Sequence, residues 1–198
     1  MLTRNEGTLP SSRNVALLSM EYEDVIQRLA SDAAVAATTK LPHPYPAHAA
    51  RDFIIWQIGE REAGRSHVVV IRNRETVVGL CGLHNIVEGH SGELGFWIGR
   101  PYWNQGYATF GAAAVLRFAF LSIRLQSVYA KVLETNRPSR KVLEKLGLSF
   151  AWTEKHEEPK WDPQERLVVY DIERSQWLGQ STASVSALGA FGSRGGTS

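Results

Sequence analysis

The chain has 198 residues, 22 Lys and Arg against 20 Asp and Glu, and one cysteine. That length fits one domain with some tail to spare. A net charge of +2 is too even for a protein whose affinity rests on many phosphate contacts, and 43% hydrophobic residues with six Trp exclude global disorder. No apolar run nears the roughly 18 residues of a membrane span, since Ala112–Leu116 stops at Arg117. Neither a nucleic-acid nor a membrane partner is therefore expected. Val15–Leu18 runs straight into Glu21, Glu23 and Asp24, which is no secretory pattern. Cys81 has no partner for an internal disulfide, so a reducing cytoplasm is the simplest home.

Residues 1–12 are polar and turn-rich, and 179–198 are dominated by Ser, Gly, Thr and Ala, so both read as flexible tails around a single domain at 13–178. In chain order, Val15–Leu18 reads as a strand and Tyr22–Ala30 as a short helix. The prolines of Leu41-Pro42-His43-Pro44-Tyr45-Pro46 forbid helix interior and central strand alike. Ala47–Glu62 is a helix with Ala50, Phe53, Ile54 and Ile58 along one side. Val68–Ile71 and Val77–Leu83 are β-branched runs that Arg72-Asn73-Arg74-Glu75 would join as an antiparallel hairpin. Then come a strand at Glu93–Ile98, a helix at Ala108–Leu121, a strand at Val128–Leu133 and a helix at Ser139–Leu146 closed by Gly147. Ser149–Thr153 and Leu167–Ile172 complete the strands. This order predicts an α+β (mixed α/β) fold with a mostly antiparallel sheet and helices on its faces.

Several chemistries are excluded. None of the six histidines sits at a helical metal-ligand spacing. Cys81 and His84, three apart in a predicted strand, face opposite sides, so no metal is expected. The chain has no Gly-Lys dipeptide, hence no nucleotide-hydrolase phosphate loop, and no Ser flanked by Gly two residues away on both sides, hence no hydrolase elbow.

Two segments carry the positive signal. In Glu93–Thr109 a strand gives way to a polar loop and then to a helix opening at Gly106. A helix N-terminus presents unpaired N–H groups and partial positive charge, and Gly106 and Ala108 would let an anion approach that backbone closely. An ordinary turn glycine fits the same spacing. In Glu134–Gly147, Asn136 is a natural N-cap, Pro138 suits the first turn, and Ser139 shares a face with Val142, Leu143 and Leu146. The hydroxyl of Ser139 needs a partner, in the protein or in a ligand.

These segments resemble the acetyl-CoA-binding core of the GCN5-related N-acetyltransferase superfamily, and its Rim-type ribosomal-protein branch in particular. The pyrophosphate motif resembles Trp103-Asn104-Gln105-Gly106-Tyr107-Ala108-Thr109, and the downstream signature resembles Asn136-x-x-Ser139-x-x-Val142-Leu143-Glu144-Lys145-Leu146-Gly147. Glu93–Ile98 looks like the central strand, and Ala36–Pro46 like the acceptor region. Phe110-Gly111 departs from the branch's Glu-Ala, and Leu148 stands where Phe is usual.

The resemblance implies a twisted sheet of roughly seven strands flanked by about four helices, with acetyl-CoA slotted between two splayed parallel strands. Pantetheine would bond the main chain of Trp97 and Ile98 like an added strand. The pyrophosphate would sit on the N–H groups of Gln105, Gly106, Tyr107, Ala108 and Thr109. Asn136 would reach the pantetheine or acetyl end, and Ser139 would lie near the thioester sulfur. An attacking amine must shed a proton. Strand alternation puts Glu93, Gly95 and Trp97 on one face, where Glu93, partly desolvated beside Trp97, is the candidate base, directly or through water. A solvated surface Glu is the plain alternative. Ser139 or Tyr102 is the candidate donor to the departing thiolate. Arg137, Lys141 and Lys145 form a stripe that is either a solvated helix face or a contact for the cofactor's 3′-phosphate. The expected activity is acetyl transfer from acetyl-CoA to the primary amine of a protein N-terminus or a small molecule. A polyamine is disfavoured by the lack of a dense acidic run. A non-catalytic acyl-CoA-binding or sensing module is the rival. Relatives that pair through a sheet edge or C-terminal strand leave a homodimer open.

Overall fold

The computed structural model describes residues 12–180. Seven strands form one sheet: β1 (Arg13–Leu17), β2 (His67–Asn73), β3 (Thr76–Val87), β4 (Ser91–Ile98), β5 (Ser127–Leu133), β6 (Ser149–Lys155) and β7 (Arg166–Glu173), in the order β1-β2-β3-β4-β5-β7-β6. Every neighbouring pair is antiparallel except β4 and β5. The parallel ladder runs only from Ser91↔Ser127 to Glu93↔Tyr129, although the strands continue to Ile98 and Leu133. The sheet therefore splits open beyond Glu93, as expected.

The helices are α1 (Glu23–Ala30), α2 (Ala33–Ala37), α3 (Ala49–Glu62), α4 (Tyr107–Arg117) and α5 (Arg137–Lys145). α2 was not expected: five residues, four of them Ala, carry no helical period, and its start is fixed locally by Asp32, whose side chain accepts from the Ala34 N–H. The helix expected to run to Leu121 ends as α-helix at Arg117 and finishes in a π-helical turn at Phe118–Ser122. β3 runs four residues past Leu83, and its pairing with β4 slips between His84 and Val87 around Asn85 (φ 49). The expected tails lie outside the described residues apart from 12, 179 and 180, and the last two, expected as tail, are instead helical, within a helix over 174–180.

Period-2 alternation divides the core between the two sheet faces. Val69, Ile71, Cys81, Leu83, Leu94 and Ile98 pack with Leu116, Phe120 and Leu143 beneath α4 and α5. Val68, Val70 and Leu80 pack with Ile26 and Ile54 beneath α1 and α3. Within the Phe110-Gly111 departure the glycine has a packing cause, because a Cβ at Gly111 would run into the Ile71 side chain under α4. Among the described residues no helix is long and apolar enough to cross a membrane.

Candidate active site

The splayed strands open a slot flanked by two cavities. One, of about 590 Å³, is lined by Trp97 and Ile98 of β4, by Tyr102, by Gly106, Tyr107, Ala108 and Thr109 at the start of α4, and by Asn136 and Ser139 at the start of α5. The other, of about 560 Å³, lies among Tyr45, Phe53, Trp56 and Trp161, with Glu93 and His84 in its wall. Trp97, Phe96, Asn136 and Ser139 border both. Glu93 and Ser139 thus line the second cavity together, while Tyr102 lines only the first.

The first cavity has the features of an anion site. Asn104 (φ 59) and Gly106 (φ 77) turn left-handed on either side of Gln105, and Gly106 caps α4. The first-turn N–H groups of Tyr107, Ala108 and Thr109 have no intrahelical acceptor and carry the helix's positive end. Gln105 does not line the cavity itself. Its carbonyl accepts from Arg13 Nη2 at 2.9 Å, and the same guanidinium lies 4.9 Å over the Tyr107 ring. Arg13 was not anticipated, because it lies 92 residues from Gln105. The Ile98 carbonyl already accepts from Trp103 Nε1 at 2.6 Å, which leaves one lone pair for a ligand amide. Asn136 caps α5 as expected: its Oδ1 accepts from the Ser139 N–H at 3.2 Å, which leaves its Nδ2 donors uncommitted to the cap. Arg137, Lys141 and Lys145 also line this cavity.

In the second cavity, alternation works as expected. Leu94, Phe96 and Ile98 pack under α4, whereas Trp97 packs under α1 and α3, so Glu93 faces the α3 side. Glu93 is half-buried where the β4–β5 ladder ends. Its Oε2 accepts from Asn85 Nδ2 at 2.9 Å and lies 3.5 Å from the Tyr129 hydroxyl. Burial first, and then the Glu93 charge, push the Tyr129 phenol up. Directly across the strand pair from Glu93 is His84. Burial holds its imidazole below the usual value, Lys40 adds to that, and Glu93 opposes it. His84 and its buried neighbour Gln57, 3.4 Å from Nδ1, escaped sequence reasoning; the one available signal was a Gln in the apolar stripe of α3.

The mouth is fastened across the fold. Lys160 donates to the carbonyls of Ala36 and Leu41, and Trp161 Nε1 donates to the Ala37 carbonyl at 3.0 Å. Cys81 is fully buried, and burial pushes its thiol far above the ordinary range.

Residues 15–149 match the acetyltransferase (GNAT) domain model. The chain is 28% identical over 142 residues to the uncharacterized N-acetyltransferase p20 of Bacillus licheniformis, a match covering 69% of this chain and 79% of that one. It is 33% identical over 96 residues to the FsC-acetyl coenzyme A-N(2)-transacetylase of Aspergillus fumigatus, covering 48% and 41%. Among solved structures, the spermidine N-acetyltransferase of Vibrio cholerae with CoA and spermine superposes with a TM-score of 0.74 at 16% identity, over 85% of this chain and 99% of that one. RimL, a ribosomal L7/L12 alpha-N-protein acetyltransferase in complex with CoA, gives 0.76 at 13% identity, over 81% and 93%.

Proposed function

The chain belongs to the GNAT acetyltransferase family and is an acetyl-CoA-dependent N-acetyltransferase; we propose that it transfers the acetyl group to a primary amine by direct attack in a ternary complex. The observation that carries this reading is that the two cavities meet at Phe96, Trp97, Asn136 and Ser139, where the sheet splits. A thioester fed from one side and an amine from the other would come together there, and holding both reactants in place removes most of the entropic barrier.

In this reading the pyrophosphate rests on the N–H groups of Gly106, Tyr107, Ala108 and Thr109, with Gln105 and Arg13 bracing the loop. Pantetheine runs along Trp97 and Ile98, and Asn136 Nδ2 meets its amide or the acetyl oxygen. Arg137, Lys141 and Lys145 stand where a 3′-phosphate would emerge. Glu93 serves the amine's loss of a proton, directly or through an intervening group. Ser139, which touches both cavities, is better placed than Tyr102 to protonate the departing thiolate.

The amine cavity has aromatic walls and one carboxylate, Glu93, with Lys40 and Lys131 beside it. That lining suits a single positive charge on an apolar body: a peptide N-terminus or a small monoamine, not a polycation. Family membership favours the enzyme over the acyl-CoA-binding module. The neutral, buried Cys81 speaks against an acetyl-cysteine intermediate and fits a reducing, cytoplasmic setting. β6, at the sheet edge with Phe150 and Trp152 exposed, is where a second copy would pair.

Mass spectrometry after incubation with acetyl-CoA alone tests direct transfer. Unmodified protein that releases CoA thiol only when an amine is added is the expected result. A stoichiometric acetyl-enzyme would replace direct attack with a two-step route.

A further inference from the structure

Gln57 and Ser66 are the buried polar side chains of the described core, at 3% and 5% exposure. Buried polar groups are unfavourable unless satisfied, and both are strung behind one imidazole. The Gln57 amide lies 3.4 Å from His84 Nδ1 on one side and 2.5 Å from Ser66 Oγ on the other, and Ser66 Oγ lies 3.0 Å from the Leu83 carbonyl. Ser66 has one hydrogen and so serves one acceptor. In the structure Oε1 faces Ser66 and Nε2 faces His84; the two ends of an amide have nearly the same shape, and only the reversed amide puts a hydrogen in all three contacts. With the amide reversed, Ser66 donates to Leu83, Gln57 Nε2 donates to Ser66 Oγ, and His84 Nδ1–H donates to Gln57 Oε1. The lone pair of His84 is then on Nε2.

The ring lines the amine cavity together with Gly95, and its Nε2 edge is turned toward that glycine. It lies over Gly95, where an added Cβ would sit 3.3 Å from Cδ2 and 3.4 Å from Nε2, so the missing side chain leaves the ring its place. His84 is also the last β3 residue in regular register before the slip that brings Asn85 to Glu93.

We propose that His84 is a catalytic residue: its Nε2 takes the proton of the attacking amine, while Gln57 and Ser66 position the ring and Glu93 balances the imidazolium formed. This rests on the acetyl-transfer reading and names the group between amine and Glu93. The amine's lone pair forms the N–C bond to the acetyl carbon, the C–S bond breaks with its electrons on sulfur, and the nitrogen's proton passes to Nε2. The thiolate takes a proton from water, directly or relayed through the Ser139 hydroxyl, and the imidazolium returns its proton to solvent. Buried and with its pKa lowered, the imidazole is neutral and ready at pH 7; the charged groups around it are Glu93 from β4, Lys40 from the segment after α2 and, through Glu93, Tyr129 and Lys131 from β5.

Two measurements test this. NMR of protein carrying ring-15N histidine at pH 7.5 should show His84 with the proton on Nδ1 and none on Nε2, and the Nε2–H form would overturn the proposal. Thiol release from acetyl-CoA with 2-phenylethylamine, a monoamine with an aromatic body, should drop about a hundredfold in kcat in His84→Gln, with acetyl-CoA affinity unchanged and the acidic limb of the kcat/KM profile lost. Gln57→Leu, which keeps the volume, should move that limb. A His84→Gln enzyme within threefold of wild type, or one slowed equally at every pH, overturns the role. No thiol release by the wild type with any amine would instead fail the acetyl-transfer reading, and the tautomer would still decide how His84 is held.

Discussion

Gly106→Val should weaken acetyl-CoA binding by roughly a hundredfold without unfolding the protein. Gly106 sits at φ 77 as the residue from which α4 starts. A left-handed conformation costs an L-residue about 1–2 kcal/mol, and a β-branched one is worse placed still. In the free protein the loop would relax to relieve this, and binding would have to restore it. The loop's shift would also cost at least one N–H bond to the charged pyrophosphate, about 1.5 kcal/mol at the low end. The sum, about 3 kcal/mol, is close to two decades in Kd. The only described atom near an added Cβ is Arg13 Nη1, at 3.4 Å, the end of a flexible side chain, so the fold itself has little to fear. Calorimetry with acetyl-CoA, beside a thermal melt of each variant, reads both quantities. A folded Gly106→Val protein that binds within threefold of wild type would refute the placement of the pyrophosphate.

Glu93→Gln should lower turnover at least tenfold while calorimetry finds acetyl-CoA affinity nearly intact; equal turnover across the pH range would remove Glu93 from the chemistry. Cys81→Ala should keep kcat within twofold at some loss of melting temperature, since the thiol is a buried core group; loss of activity in a folded variant would reopen a covalent route. Asn136→Ala should cost about 1 kcal/mol of stability through the lost cap and also weaken acetyl-CoA binding, so a variant destabilised with unchanged affinity would make Asn136 a cap and nothing more. His67 and His84 are both held below the ordinary imidazole value, by burial foremost. The native state therefore binds fewer protons than the unfolded chain, and the stability present above about pH 6.5 should fall as pH drops from there toward the lowered native values. His67→Phe, which keeps a ring stacked on Phe118, should make that fall in melting temperature shallower; an unchanged slope would contradict the assignment.

What the sequence disclosed follows the range of the interactions involved. Leu94, Phe96 and Ile98 against Glu93 and Trp97 is a period-2 statement, legible from the strand alone. Asn136 capping α5 and Gly106 opening α4 are local backbone requirements, equally legible. The splay of β4 from β5 came through resemblance, since no local pattern encodes where a ladder stops. α2 was missed because five residues are too few for a period, and the extension of β3 because the bulge at Asn85 breaks the alternation. His84, Gln57 and Ser66 meet only when α3 packs on β3, with His84 27 positions from Gln57 and Leu83 17 positions from Ser66. Nothing in a linear window joins them.

The central claim is that two cavities meet at a slot that holds acetyl-CoA and an amine. Its most direct test is calorimetric titration with acetyl-CoA, followed in the same sample by thiol release against peptides and small monoamines. Saturable binding at one site with amine-dependent thiol release is the predicted result. No binding of acetyl-CoA, or binding with no release for any amine, would contradict it.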